Sequence, residues 1–121
     1  MLLQYTPEGG VPTAIIWGYN KEYPIAKVEN ATYSQVSSYV TPLQTSSNNG
    51  TLTQASFASL RSNLPNAMIT AYTYNPLIGV SSIASPNGDK TTYEYDNFGR
   101  LKAVRDKDGN LLSENEYNFR P

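Results

Sequence analysis

The feature that most constrains this chain is a strand–turn–strand–turn–strand unit near its C-terminal end that recurs upstream. Thr91, Tyr93 and Tyr95 alternate with Lys90, Thr92, Glu94 and Asp96, the period of two expected of a strand with one wet face. Asp96-Asn97-Phe98-Gly99 breaks the alternation with turn formers, and Gly99 is free to take a positive φ. Arg100 to Arg105 reads as a second strand. Asp106-Lys107-Asp108-Gly109-Asn110 is a second turn, in which Asp108-Gly109 is a favoured hairpin pair. On a third strand, Leu111 to Phe119, Leu111, Ser113, Asn115 and Tyr117 alternate with Leu112, Glu114 and Glu116.

Shifting by 21 residues places Tyr95 on Tyr74, Tyr93 on Tyr72, Leu101 on Val80, Val104 on Ile83 and Gly109 on Gly88. The same frame fits Trp17-x-Tyr19 followed by Ile25 and Val28. Each copy has aromatic-x-Tyr, then aliphatic residues six and nine positions after the Tyr, then a turn former (Asn30, Ser85 or Asp106). Self-similarity at a fixed period means one supersecondary unit stacked on its neighbours, because a single unit cannot bury its apolar face alone. The shared positions Tyr19, Ile25, Val28, Tyr74, Val80, Ile83, Tyr95, Leu101 and Val104 are therefore the expected sheet core.

Tyr95-Asp96-x-x-Gly99-Arg100-Leu101-x-x-Val104-x-Asp106-x-x-Gly109 resembles the YD repeat of bacterial Rhs and wall-associated proteins. Tyr74-Asn75 and Tyr19-Asn20 resemble degenerate copies with Asn in place of Asp. Gly99 has no counterpart at Ile78 or Tyr23, although Gly79 adjoins Ile78. The resemblance covers about two-thirds of the chain and leaves out Ala31 to Asn66. It implies β-hairpins winding into a large extracellular or cell-surface β-shell, with this chain a piece of something longer and the flanking repeats as its partners. Any secretion signal would lie upstream.

Between the first copy and the second, about 33 residues occupy the place of a turn. This insertion, residues 31–66, reads as two short helices. Tyr33, Val36, Val40 and Leu43 form a helical stripe behind a Thr32 cap. Pro42 is expected to end or kink that helix near Val40, leaving Gln44 to Thr51 as a polar loop. Phe57, Leu60 and Leu64 form a second stripe from a Thr53 cap to Pro65. Packing is expected through Val36, Val40, Phe57, Leu60 and Leu64. Upstream, Thr13 to Tyr19 reads as a strand with Ile15, Trp17 and Tyr19 on one side. Asn20-Lys21-Glu22 is a turn and Tyr23 to Glu29 the partner strand. Ala67 to Asn75 is apolar on both parities, as expected of a strand covered by helices.

The expected architecture is therefore α+β and mostly antiparallel: a twisted sheet of consecutive YD-type hairpins, with a two-helix insertion over one face. It is a single domain spanning 1–121, with a degenerate repeat at 1–30, the insertion at 31–66 and two further repeats at 67–121. Met1 to Thr6 is strand-like with no partner in sequence, and an excised stack should expose at least one unpaired strand edge.

Composition narrows the function. A net charge of −1 and a pI near 5.3 give no electrostatic reason to expect nucleic acid as a partner. No apolar run approaches the ~20 residues of a membrane helix, so membrane insertion by a helix is not expected. The chain has neither Cys nor His, which removes thiol sites, disulfides and the commonest general base. Serine–lysine chemistry lacks its Ser-x-x-Lys. Six of the ten acids lie between Glu94 and Glu116, but at turn corners and on the polar strand phase, where solvated charge belongs. Asp106-x-Asp108-Gly109 has its Gly too early for a calcium loop. Asn30-Ala31-Thr32 and Asn49-Gly50-Thr51 match the glycosylation acceptor, a frequent chance match in so Asn- and Thr-rich a chain. The residues thus nominate no catalytic, metal or cofactor site, and no enzyme is expected. Ten Tyr against three Phe and one Trp suit a sheet wet on one side. Nearly all of these Tyr fall in strand-like alternation, which favours sheet packing. A binding surface can use the same chemistry, and the alternative function is a carbohydrate- or protein-binding surface built on exposed Tyr and Trp.

Overall fold

The computed structural model describes residues 1–114. Eight strands are present: β1 (Gln4–Tyr5), β2 (Thr13–Gly18), β3 (Tyr23–Glu29), β4 (Met68–Asn75), β5 (Gly79–Ala84), β6 (Lys90–Tyr95), β7 (Leu101–Arg105) and β8 (Leu111–Glu114). They form one antiparallel sheet in strict sequential order. Between β3 and β4 come helix α1 (Tyr33–Asn48), a 3₁₀ turn (Gln54–Phe57) and helix α2 (Ala58–Asn63). The class is α+β, as expected. The rest of the stretch expected to be the third strand, including Asn115, Glu116, Tyr117 and Phe119, lies outside the described residues.

The insertion forms a helical layer as the stripes predict. Thr32 caps α1 through a capping box with Gln35, and Val36, Val40 and Leu43 are buried. The expected break at Pro42 does not occur. The helix runs through it to Asn48, so the polar loop expected over Gln44 to Thr51 shrinks to its last three residues. Pro42 and Ser38, whose carbonyl loses its amide partner, both lie on the exposed side. Beyond them Leu43 and Ser47 are buried against the sheet and hold the last turns in place. Thr53 starts the second segment, its backbone N–H donating to Ser56 Oγ at 3.1 Å. Phe57 and Leu60 are buried and Leu64 is half-buried at the margin of the core.

The core lies between this layer and β2–β4. Ala14, Ile16, Ile25, Ala26, Val28, Ile69 and Ala71 from the strands meet Val36, Val40, Leu43, Phe57 and Leu60. Of the nine repeat positions expected inside, Tyr19, Ile25 and Val28 are buried, whereas Tyr74, Val80, Ile83, Tyr95, Leu101 and Val104 are half-buried. The reason is parity and coverage. The helices sit on the face carrying Ile69, Ala71, Thr73, Ser82 and Ala84, all buried. Tyr72, paired with Ile83, and Ile83, paired in turn with Thr91, point to the helix-free face.

Two further expectations change. Residues 1–6 do have a partner: β1 pairs with Thr13 and Ala14 of β2. Tyr19 is not the last residue of β2. It opens a turn in which Tyr19, Asn20 and Lys21 take left-handed φ values of 52°, 59° and 65°, so it leaves the side of Ile15 and Trp17 and is buried at 7% exposure. Such a run costs roughly 1–2 kcal/mol per non-glycine residue. The C-terminus of α1 compensates, as Ser47 Oγ accepts from Tyr19 N at 2.8 Å and Asn48 Oδ1 from Asn20 N at 2.7 Å.

Leu77, in the β4–β5 turn, combines φ +69° with 95% exposure. A branched side chain there gains no packing and strains the backbone, where glycine would do neither. Leu77→Gly is expected to raise stability by about 0.5–1 kcal/mol in urea unfolding, net of the entropy glycine adds to the unfolded chain. A loss of stability would mean that the turn depends on the Leu77 side chain.

Candidate functional site

The three turns after β5 share one geometry. In Ser85–Asp89, Asp96–Arg100 and Asp106–Asn110, the first residue's N–H donates to the fifth residue's carbonyl at 2.9 Å. The fourth residue is always glycine, at φ +89°, +78° and +82°, and its N–H returns to the first carbonyl at 2.8–3.0 Å. Asp96 Oδ1 accepts from Phe98 N (2.8 Å) and Arg100 N (3.0 Å), and Asp106 Oδ1 accepts from Asp108 N (3.0 Å) and Asn110 N (2.9 Å). Each aspartate thereby acts as an internal template for its loop. Arg100 also donates through Nε to Asp96 Oδ2 at 2.9 Å and lies 5.2 Å from the Phe98 ring centre.

Partial desolvation pulls the Asp96 carboxyl pKa upward. Two backbone N–H bonds, the Arg100 guanidinium bond and its charge together outweigh this and hold it below the usual 3.8. A depressed folded-state pKa gives stability that is present above the ordinary value and disappears as pH falls through the lower one. The difference in melting temperature between the wild type and Asp96→Asn should therefore be largest near neutrality and shrink below about pH 4. A constant difference across that range would remove the carboxylate from the turn's energetics.

A second regularity lies in the β2–β3, β4–β5 and β6–β7 hairpins, close to their turns. The register slips by one residue before Trp17↔Pro24, Tyr74↔Val80 and Tyr95↔Leu101, skipping Ile25, Ser81 and Lys102. Trp17, not Tyr19, thus occupies the place of Tyr74 and Tyr95, which corrects the frame of the first copy. The skipped residue records what lies above it. Ile25 is buried beside α1, Ser81 bonds to Thr73 Oγ1 at 2.7 Å, and Lys102, beyond the helices, is exposed.

The tyrosine hydroxyls link hairpin to hairpin. Tyr74 Oη donates to the Pro24 carbonyl at 2.9 Å, and Tyr95 Oη donates to the Val80 carbonyl at 2.7 Å. Both acceptors stand just after the register slip of the preceding hairpin. Gly79 permits the second contact, since a Cβ there would lie 2.6 Å from Tyr95 Oη. Tyr19 Oη accepts from Tyr74 N at 2.9 Å, and the Tyr23 and Tyr74 rings stack at 4.8 Å. Burial first, then the neighbouring phenols, pushes the Tyr74 pKa up to about 12, so it stays a neutral donor at physiological pH.

The helical layer reaches the same strands through polar side chains. Gln54 Nε2 donates to the Ala71 carbonyl and to Ser82 Oγ, each at 3.0 Å. Arg61 Nη1 donates to the carbonyls of Ile69 (3.1 Å) and Ser85 (3.2 Å). Burial lowers the Arg61 pKa, and an arginine remains charged regardless.

Residues 79–111 match the family model of the RHS repeat. This segment is similar to an RHS repeat. It spans β5 to the start of β8 and takes in all three glycine turns, so its glycines and Asp templates are the residues that give the RHS segment its loops. No curated protein and no solved structure matches the chain. Of the five acids in residues 79–111, four are engaged in structural contacts: Asp96 and Asp106 in their turns, Glu94 with Arg105 at 3.1 Å, and Asp89 with Lys107 at 3.3 Å. Among the described residues no three His, Cys, Asp or Glu side chains gather as a metal site. No helix among them is long and apolar enough to cross a membrane. What sequence reasoning missed is the tyrosine-to-carbonyl bonding between hairpins. The 21-residue spacing of Tyr74 and Tyr95 is its trace, but the acceptor is a backbone atom and leaves no mark in the sequence.

Proposed function

We propose that this chain is a non-enzymatic structural segment of a larger bacterial Rhs-repeat protein, extracellular or at the cell surface. Its hairpins are consecutive YD-type units that build part of a β-shell or scaffold. On this reading residues 1–30 are a degenerate first repeat, 31–66 a helical insertion and 67–121 two further repeats, together forming a single domain. The observation that carries it is the recurrence, on successive hairpins, of one register slip and one tyrosine bond back to the hairpin before. A unit whose side chains are used to join its neighbours is a building element. Its partners are then flanking repeats of the same parent protein. β8, the last strand of the described sheet, is exposed along its length, which supports this reading of its edge as a joining surface. Analytical ultracentrifugation of the isolated chain over a concentration series tests this. Reversible association that grows with concentration is expected from an edge meant for another strand. A strict monomer at all concentrations would overturn it.

A second reading rests on the helix-free face. Trp17, Tyr72 and Tyr93 lie there, half-buried rather than covered, and such aromatics suit a carbohydrate or a protein surface. Trp17 is the chain's one tryptophan, so its fluorescence reports binding directly. Saturable changes with an oligosaccharide, abolished by Tyr72→Ala, would promote this reading over the scaffold.

A further inference from the structure

Two Asn-Gly pairs lie exposed in loops, Asn49-Gly50 after α1 and Asn87-Gly88 in the β5–β6 turn, yet their surroundings differ chemically. Asn87 is tied down. Its Oδ1 accepts from Asp89 N at 3.1 Å and from the Ser85 hydroxyl, and its Nδ2 donates to Asp89 Oδ2 at 3.2 Å. Gly88 N is engaged with the Ser85 carbonyl at 2.8 Å. Asn49 has no side-chain hydrogen bond among the described residues. Gly50 N makes only a long 3.2 Å bond to the Ser47 carbonyl, at the frayable end of a helix. A Cβ at Gly50 would meet nothing within 4 Å, so no neighbouring group packs on the side-chain side of this residue.

We propose that Asn49 is a site of spontaneous backbone-assisted deamidation and that Asn87 is protected from it. Gly50 N, after losing its proton to solvent, forms a bond to Asn49 Cγ. The Cγ–Nδ2 bond breaks and ammonia leaves, giving a cyclic imide. Water then opens the ring at either carbonyl, producing aspartate or isoaspartate without any redox change. To close the ring, Asn49 ψ must swing away from −2°, a motion that opening of the last helical turn allows. At Asn87 the same closure must first break its three side-chain bonds. The product matters to the fold. It places a carboxylate at the negative end of the α1 dipole, where no basic residue of the last turn offsets it. The isoaspartate form adds a backbone atom beside the Thr51 N to Ser46 carbonyl bond, 2.9 Å, that closes the helix.

Peptide mapping by mass spectrometry, during incubation of the intact chain in mildly alkaline buffer, tests the proposal. The peptide containing Asn49 should gain one nominal mass unit, with isoaspartate detected, while Asn87 converts about tenfold more slowly or slower still, the protection that a bonded local structure confers. In urea the two rates should converge, because both sites then share the same open dipeptide. Ser85→Ala should speed conversion at Asn87 without changing Asn49. If Asn87 keeps pace with Asn49 in the native chain, or Asn49 fails to convert, or the rate gap persists in urea, the proposal fails.

Discussion

Phe57→Ala is expected to cost about 3–5 kcal/mol. Phe57 has no exposed surface and is the largest fully buried side chain. It closes the 3₁₀ turn that seats the helical layer on β4. A domain of this kind has only ~5–15 kcal/mol in total, so the variant should be close to unfolded at moderate temperature. Urea unfolding should show the midpoint falling with little change in slope, as expected when stability alone is altered. A loss below about 1 kcal/mol would mean that the layer is held by other contacts and that Phe57 does not anchor it.

Gly18→Ala should be nearly as damaging, for a steric reason. A Cβ at Gly18 would sit 2.7 Å from Ser47 Oγ and 2.9 Å from both Cδ1 and Cγ2 of Ile25. Ile25 is fully buried and cannot retreat. Ser47 Oγ cannot retreat without releasing Tyr19 N and the Gln44 carbonyl, to which it donates at 2.7 Å. The expected cost is about 2–3 kcal/mol, overpacking plus a weakened buried hydrogen bond. Because both effects act through one atom, Gly18→Ala combined with Ser47→Ala should cost less than the sum of the two single changes. Strict additivity would show that the methyl group is accommodated elsewhere and that the α1 contact is incidental.

These two residues also show where the sequence is legible. Phe57 belongs to a helical stripe with Leu60, and both are buried as the spacing requires. Ile25 and Val28 are buried as expected, although the corrected register aligns them with Ser81 and Ala84 rather than with Val80 and Ile83. The full length of α1 was hidden by Pro42, because proline's cost is local while the compensating burial of Leu43 and Ser47 depends on strands far away in sequence. Tyr19 misleads for a related reason. It matches aromatic-x-Tyr in spacing, but the backbone turns left-handed at that residue under the hold of Ser47 and Asn48. Val80, Leu101 and Val104 repeat faithfully yet are only half-buried, since periodicity defines a face and not whether anything covers it. The links between hairpins were illegible because tyrosine's partner is a carbonyl that every residue carries.

The sequential order of the strands has a kinetic consequence. Six of the seven pairings in the sheet join strands separated by a turn or short loop, and such hairpins close on the order of microseconds. The exception is β3 with β4, which must bring Glu29 to Met68 across the whole insertion. Loop closure of that span adds entropy only logarithmically with length, but it cannot be rewarded until α1 and Phe57 are in place. Folding should therefore divide at that seam: the β5–β8 hairpins zip early and locally, and the rate-limiting event is the condensation of the helices that draws the two halves of the sheet together.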